Sequence, residues 1–287
     1  MTEKSKNLLT IAVCSNRIEK LRAHTLPLIS EVIEYCRFQL FIDGSIKEDL
    51  SSLFTEINKI GDIEIITSNE TRGHSNLRNL VLQSCKTKYL LYLDDDITIT
   101  VNALNEIIET LENGFQIAGL KLVPADYIKI DKWYISPNQY HYIAVHTELT
   151  INSIWGACMA FSIEPIKQLN ISFNDKLGRQ NNKFLSGEDT TFIAHLTEKG
   201  YKSKVIQTSY AIHHIDKSRL EFLYLAKRVF WQGITEVVRN NINNGFSKEL
   251  KRNFANPNLR IFFLGIIWMS IFSSGCFYGI WYKNFNK

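Results

Sequence analysis

Cysteine and proline are both scarce in this sequence of 287 residues, with five of each. The cysteines form no Cys-x-x-Cys pair, since they are scattered at Cys14, Cys36, Cys85, Cys158 and Cys276. An odd, scattered set excludes a disulfide framework, gives no zinc site and indicates a reducing compartment. The low proline content and 45% hydrophobic residues exclude collagen-like, low-complexity and disordered chains. The sequence therefore predicts a globular protein with one large domain or two small ones.

Acidic residues predominate over most of the chain, whereas the last quarter is basic. Residues 1–216 contain 22 Lys and Arg against 26 Asp and Glu, and residues 217–287 contain 11 against 3. Such an asymmetry predicts a partner for the basic tail, either nucleic acid or an anionic membrane surface.

A long uncharged segment within the tail favours the membrane. Residues 261–282 carry no charge, and as a helix they would be about 33 Å long, enough to cross a hydrocarbon core of about 30 Å. We interpret residues 259–283 as a transmembrane helix, with membrane lipids and not nucleic acid as the partner. The alternative is a buried core helix, because three glycines dilute the segment: Gly265, Gly275 and Gly279.

Basic residues are denser before this segment than after it, which predicts that the preceding chain is cytoplasmic. We therefore expect a single-pass protein of the inner (cytoplasmic) membrane, without a signal peptide, because the first apolar stretch is too short for one. Residues 217–258 are expected to form a basic, amphipathic juxtamembrane region. Its helix, at about 220–242, either lies on the inner leaflet or packs on the sheet.

Residues 1–216 alternate between short apolar segments and helical patterns. The apolar segments, rich in β-branched or aromatic residues, cover 8–14, 38–42, 63–67 and 89–93; helical patterns cover about 17–36, 47–59 and 74–86. This alternation predicts an α/β fold with a mostly parallel sheet. Ligands of such sheets bind beyond the carboxyl ends of the strands, where this sequence is unusually polar.

Three adjacent carboxylates, Asp94, Asp95 and Asp96, follow the fourth apolar segment. Their mutual repulsion would be relieved by a divalent cation, and alternate residues of an extended chain share a face. Oxygen ligands of this kind suit Mg²⁺ or Mn²⁺. The alternative is an acidic surface turn.

Two further patterns carry chemistry. Glu188 and Asp189 follow Gly187 in the first turn of a predicted helix, where they are either functional carboxylates or a simple helix cap. His213 and His214 follow an alternating segment and are either metal ligands or surface residues.

In order, these elements resemble the family 2 glycosyltransferases, inverting enzymes of the GT-A fold, over about residues 8–235. The matching motifs are Ser15-Asn16-Arg17, Asp43-Gly44-Ser45, Arg72-Gly73, Leu77-Arg78-Asn79, Asp94-Asp95-Asp96, Trp155-Gly156-Ala157, Gly187-Glu188-Asp189 and His213. Two features depart from the family pattern: Gly44 stands where a second acidic residue is usual, and residues 177–186 match no motif.

The resemblance implies a role for each matching residue. Asp189 would be the catalytic base; Asp96 would bind Mn²⁺ or Mg²⁺ together with His213, or with His214 as the alternative. The nucleotide sugar would contact Ser15, Asn16, Arg17, Asp43, Gly73, Arg78, Asp94 and Asp95. The pocket for the donor sugar or acceptor would contain Trp155, Gly156 and Glu188.

The implied reaction is transfer of a sugar from a nucleotide-diphosphate sugar to an acceptor hydroxyl. The membrane-directed tail further predicts that this acceptor is a lipid-linked or cell-surface glycan. Three other classes remain open from the residues alone. They are a metal-dependent nucleotidyltransferase, a glycoside hydrolase built on two carboxylates, and a non-catalytic, membrane-anchored glycan-binding protein.

Overall fold

A computed structural model of the protein describes residues 8–46, 48–68, 73–148, 150, 152–179, 183–254 and 258–285. Its strands are β1 Leu9–Ser15, β2 Arg37–Ile42, β3 Glu64–Thr67, β4 Tyr89–Leu93, β5 Ile97–Thr98, β6 Ile117–Pro124, β7 Cys158–Ser162 and β8 Ser203–His213. They form one sheet in the order β3-β2-β1-β4-β7-β6-β8-β5. The four apolar segments identified in the sequence are β1 to β4.

The sheet combines a parallel half with a mixed half. β1 pairs in parallel with β2 and β4, and β2 with β3. β7 runs antiparallel to β4 and β6, whereas β8 is parallel to β6 and antiparallel to β5. Four of these seven described pairs are parallel, which confirms the predicted α/β fold with a mostly parallel sheet. Because β7 runs against β4, the beginning of β7 lies beside the end of β4.

The helices are α1 Ile18–Lys20, α2 Leu26–Val32, α3 Ser51–Ile60, α4 His74–Ser84, α5 Val101–Glu112, α6 Ile163–Leu169, α7 Glu188–Glu198, α8 Phe222–Val238, α9 Ile242–Phe254 and α10 Leu259–Phe285. A π-helical turn, Leu21–Thr25, joins α1 to α2, and 3₁₀ helices cover Pro137–Ile143 and Lys217–Leu220. The three helical patterns predicted before residue 90 are therefore present, and the first is interrupted by the π-helical turn.

The core of the sheet lies between its strands and the helices packed on them. Every residue of β1 and β4 is buried, as expected for strands covered on both faces. Leu77 and Val81 of α4 and Phe192 of α7 pack in the same hydrophobic cluster as Met159 of β7. Apolar side chains thus make up most of β1 and all of β4 except for two tyrosines, and the three aspartates follow directly after β4.

The chain packs as two compact units. The sheet unit comprises the described residues up to Pro124, Asn152–Lys176 and Glu188–His214; the C-terminal unit comprises Ala125–Ile151, Leu177–Gly187 and the residues from Ile215 onward. Two segments inside the predicted domain 1–216, and its last two residues, therefore pack with the C-terminal helices. The functional division into 1–216, 217–258 and 259–283 stays a prediction.

Within the C-terminal unit, α8 and α10 approach each other through glycines. A Cβ atom on Gly275 would collide with the backbone carbonyl of Phe230, and one on Gly233 would collide with that of Phe272. Side chains at these positions would force the two backbones apart. The helix predicted at about 220–242 is thus α8, and within its unit its buried face packs on α10.

Helix α10 is long and apolar enough to span a membrane, with a mean hydropathy of 1.8 over its most apolar window. Only a third of that window is buried. Trp268 and Phe272 are 1% exposed, and the Trp268 Nε1 donates a hydrogen bond to the carbonyl of Tyr134. By contrast, Phe277 is 76% and Trp281 51% exposed. The helix therefore has one face packed on protein and one exposed apolar face.

A buried polar cluster surrounds Glu249 of α9. Its carboxylate accepts hydrogen bonds of 2.9 Å from the Tyr142 hydroxyl and from Arg252, and it lies 3.5 Å from His141 Nε2. Burial opposes ionisation of Glu249, but the charges of His141 and Arg252 and the hydrogen bond from Tyr142 outweigh it and lower its pKa to about 2. Burial also lowers the pKa of His141.

Candidate active site

The acidic turn after β4, Asp94-Asp95-Asp96, is held by Ser15, the last residue of β1, and by Arg17 just beyond that strand. The two strands are adjacent and parallel, which brings Ser15 and Arg17 beside the turn. The Ser15 hydroxyl donates a hydrogen bond to Asp95; the Arg17 guanidinium pairs with Asp95, and its Nη2 lies 2.9 Å from Asp96 Oδ2. Asp95 and Asp96 are 4% and 1% exposed, so Arg17 supplies the positive charge that their burial requires. These two carboxylates are therefore not part of a surface turn.

His213, the last residue of β8, lies beside Asp96. β5 and β8 are antiparallel with Ile97 opposite His213, and the His213 Nε2 lies 3.6 Å from Asp96 Oδ1. The ring of His214 instead stacks on His24 at 4.0 Å. Burial, together with the charges of His24 and His213, lowers the pKa of His214 to about 4. Of the two histidines, His213 is the one whose ring faces Asp96.

The Asp96 and His213 pair fits a divalent cation only in part. No group of three His, Cys, Asp or Glu side chains in the described part of the chain is placed to hold a metal ion. A carboxylate oxygen and an imidazole nitrogen are nevertheless suitable ligands for Mn²⁺. The coordination shell of Mg²⁺ commonly includes waters and substrate phosphates. The pair therefore fits a cation whose remaining ligands come from a diphosphate and water.

Asp189 lies beside Gly156 because of the antiparallel pairing of β4 and β7. Leu93 is opposite Cys158, and the backbone N–H of Asp94 donates to the carbonyl of Ala157. The backbone N–H of Gly156 donates a 2.6 Å hydrogen bond to Asp189 Oδ2. The half-buried Asp189 carboxylate is thus fixed at the end of β4.

Glu188 points instead to Arg78, which is 3% exposed. Arg78 Nη1 lies 2.9 Å from Glu188 Oε1, and its Nη2 lies 3.3 Å from Asp94 Oδ1 and donates to the Gly156 carbonyl at 3.0 Å. Burial and the charge of Asp189 raise the pKa of Glu188, although Arg78 opposes them. The Arg78 guanidinium is surrounded by protein groups and joins three segments of the sheet unit; its contact with the nucleotide stays a prediction.

His74 was not identified in the sequence. It opens α4, and its Nε2 lies 3.4 Å from Asp94 Oδ1. Burial acts to raise the pKa of Asp94, but the hydrogen bond from His74 and the charge of Arg78 hold it well below its ordinary value. The sequence signal for His74 is its place directly after the Arg72-Gly73 motif.

Asp43 and Gly73 meet at the ends of β2 and α4. Asp43 is 5% exposed; its Oδ1 accepts from Ser45 N–H at 2.9 Å and its Oδ2 from Gly73 N–H at 3.3 Å. Gly73 has φ 75°, which a glycine adopts without strain. Asn16 is exposed and Trp155 half-buried, whereas Arg72 lies outside the described residues.

A family model described as Glycosyl transferase family 2 matches residues 16–169, more than half of the chain. No curated protein matches the sequence.

Solved structures share the fold at low identity. TarS 1–349 of S. aureus in complex with UDP-GlcNAc is 13% identical, with a TM-score of 0.55 over 93% of this chain and 81% of that one. Mannosyltransferase PcManGT of Pyrobaculum calidifontis, in complex with GDP-Man and Mn²⁺, is 12% identical, with a TM-score of 0.60 over 93% and 73%. GalNAc-T7 with UDP, GalNAc and Mn²⁺ is 15% identical, with a TM-score of 0.55 over 83% and 51%.

Proposed function

Because the chain belongs to glycosyl transferase family 2, we propose that this glycosyltransferase moves a sugar from a nucleotide-diphosphate sugar to an acceptor hydroxyl with inversion. One observation carries the proposal. The Asp189 carboxylate and the acidic turn lie together, where β4 and β8 end and where β5 and β7 begin. Family membership favours this reaction over nucleotidyl transfer, glycoside hydrolysis and a non-catalytic role.

Asp189 is proposed as the catalytic base. Of the two carboxylates that open α7, Glu188 is paired with the buried Arg78, whereas Asp189 is half-buried and held by the Gly156 N–H. In the reaction, the acceptor oxygen would bond to the anomeric carbon as its proton passes to Asp189, and the bond to the diphosphate would break on the opposite face. That geometry inverts the sugar centre.

Asp96 and His213 are proposed to hold the cation, supported by their proximity and by the Mn²⁺ in the structures of PcManGT and GalNAc-T7. The chemistry that Mn²⁺ or Mg²⁺ supplies there is Lewis-acid stabilisation of the charge growing on the leaving diphosphate. Arg17 lies against the other oxygen of Asp96 and already offsets the negative charge of the turn.

The nucleotide sugar is proposed to bind along the ends of β1, β2 and β4. The structures of TarS and PcManGT contain UDP-GlcNAc and GDP-Man, which supports a nucleotide-sugar donor. The residues proposed to contact it are Ser15, Asn16, Arg17, Asp43, Gly73, Asp94 and Asp95. Trp155, Gly156 and Glu188 would border the sugar or acceptor, and Arg78 would lie near the nucleotide and position Glu188 and Asp94.

Membrane association is proposed through α10. Its exposed apolar face and the basic excess of residues 217–287 suit an anionic leaflet. We propose that the protein acts at the cytoplasmic side of the cell membrane on a lipid-linked or cell-surface glycan.

The function is tested with purified, detergent-solubilised full chain, a panel of nucleotide sugars, and Mn²⁺ or Mg²⁺ with and without chelator. One donor should release nucleoside diphosphate in a metal-dependent way. Asp189→Asn preserves the shape of the side chain and should lower kcat about 10² to 10⁴-fold, and Asp96→Ala should abolish the response to metal. Asp62→Asn, on an exposed loop, is the matched control. If no donor bound in the presence of metal, the nucleotide-sugar reaction would be refuted.

A further inference from the structure

A group of basic side chains in the C-terminal unit takes no part in the chemistry described above. We call it the basic cluster; its members are Arg179, Lys183, Arg219, Lys227 and Arg228. Residues 177–187 and 217–228, which supply it, contain six Lys and Arg residues but one acidic residue, the exposed Glu221. Arg179, Lys183 and Lys227 are exposed to solvent.

Two aromatic rings organise the basic cluster. Phe184 and Tyr224 pack edge to face with centroids 5.7 Å apart. Arg179 lies 5.4 Å from the centre of the Phe184 ring and donates a 3.2 Å hydrogen bond to the Tyr224 hydroxyl. Lys227 Nζ lies 4.5 Å from the centre of the same Phe184 ring. Arg179 and Lys227 therefore lie against one aromatic pair, whereas Lys183 Nζ lies 5.4 Å from the centre of the Tyr282 ring.

Arg228 holds the chain at residues 184–186, since it donates hydrogen bonds to the Phe184 carbonyl at 3.4 Å and to the Ser186 hydroxyl at 3.1 Å. The positive charges of the cluster also change the pKa of the Tyr224 hydroxyl. Burial alone would raise the pKa of this phenol, but the charges of Arg179, Arg219 and Arg228 outweigh burial and lower it.

Bringing like charges together is unfavourable, and a bound anion offsets their mutual repulsion. A multivalent anion offsets it most effectively. Guanidinium groups bind phosphate oxygens in pairs, and lysine adds a mobile point charge. The rings add an apolar surface beside the charges. A phosphate group therefore matches the basic cluster better than a neutral sugar does.

The chain connects the basic cluster directly to the proposed base, because Phe184 is followed by Leu185, Ser186, Gly187, Glu188 and Asp189. We propose that the basic cluster is an anion site for the acceptor, and that the acceptor carries a phosphate or diphosphate group. This proposal rests on the proposed function.

The test uses the full chain in detergent, with chelator present, and two probes: farnesyl diphosphate for a lipid source and linear polyphosphate for a soluble one. Arg179→Gln combined with Lys227→Gln should weaken binding by calorimetry about tenfold or more, or about 1.4 kcal/mol. The control, Lys248→Gln with Lys251→Gln, removes the same charge from exposed positions on α9 of the same unit and should change binding less than about twofold.

Binding of farnesyl diphosphate alone would identify a lipid diphosphate, and binding of polyphosphate alone a phosphate-bearing polymer; both outcomes support the site. Bound anion should also raise the pKa of Tyr224, measured as phenolate absorbance lost in Tyr224→Phe. Equal affinity of the Arg179 and Lys227 double variant and wild type for both probes, or no binding at all, would overturn the proposal.

A separate measurement isolates the proposed function. Donor hydrolysis with metal should be unaffected in the double variant. If hydrolysis were absent from the wild type while the anions still bound, the proposed function would fail and the anion site would stand. If polyphosphate inhibited hydrolysis equally in both proteins, the anion would occupy the donor site and the acceptor assignment would be wrong.

Discussion

Replacement of Gly156 by alanine should disable the site by displacing Arg78. A Cβ atom on Gly156 would lie 2.6 Å from Arg78 Nη2 and 2.8 Å from Nη1. Normal van der Waals contact begins at 3.4 Å, so the guanidinium must retreat by roughly 0.8 Å. Arg78 is 3% exposed and tied to Glu188, Asp94 and the Gly156 carbonyl, so this retreat stretches the bonds that hold those groups.

The expected cost combines overpacking, about 1 to 3 kcal/mol, with weakening of a buried ion pair, which reaches about 3 to 5 kcal/mol when fully broken. We expect Gly156→Ala to lower the free energy of unfolding by about 2 to 4 kcal/mol and donor hydrolysis by at least about tenfold. Urea denaturation and nucleotide release measure the two effects.

The control is Gly61→Ala. Gly61 has an extended φ of 160°, and its added Cβ would meet only Ile33, at 3.3 Å; we expect a loss below about 1 kcal/mol. The shorter side chain of Arg78→Lys should relieve the clash, so the alanine should cost less in that background, with a coupling energy of about 0.5 to 3 kcal/mol. Additive losses in the double mutant, or a Gly156→Ala enzyme as stable and active as wild type, would refute the reasoning.

Two other predictions concern the C-terminal unit. The pKa of Glu249 is lowered to about 2, and the pKa of His141 is also lowered. In acid the unfolded chain therefore binds more protons than the folded chain, so the free energy of unfolding should fall as pH falls below about 6.5. The contribution of Glu249, about 3 kcal/mol, should be lost between about pH 4.5 and 2. Urea denaturation at a series of pH values should show a smaller loss of unfolding free energy below about pH 4.5 in Glu249→Gln than in the wild type. An equal loss in both proteins would contradict the assignment. Phe277→Ser, on the exposed face of α10, should reduce flotation with anionic vesicles about tenfold, whereas Tyr127→Ser, 64% exposed elsewhere, should not; equal flotation would argue against α10 as the membrane contact.

The strand ends were accessible from the sequence because local pattern determines them. A strand buried on both faces is mostly apolar, so a polar residue at its last position, such as Ser15, or directly after it, such as Asp43 and Asp94, marks its end. Strand ends of this kind converge at one edge of a parallel sheet, which made the acidic turn recognisable.

The pairs that define the site depend on contacts far apart in the chain. The sequence left His213 and His214 as alternatives, and only the antiparallel register of β5 and β8 turns His213 toward Asp96. Likewise, the antiparallel pairing of β7 with β4 places Gly156 where Asp189 can accept its N–H. No local pattern encodes the direction of a strand that pairs across such a separation.

The sequence by itself determined the α/β fold, the polar strand ends and the length of the apolar α10, because periodicity and composition are local properties of the chain. Tertiary structure decided which charges are neutralised: Arg78 is directed to Glu188, which leaves Asp189 as the carboxylate without that ion pair. It also decided that one face of α10 is covered, since Gly233 and Gly275 allow α8 to approach closely. Burial and pairing belong to the folded arrangement, and they set the chemistry of side chains whose positions in the sequence were already plain.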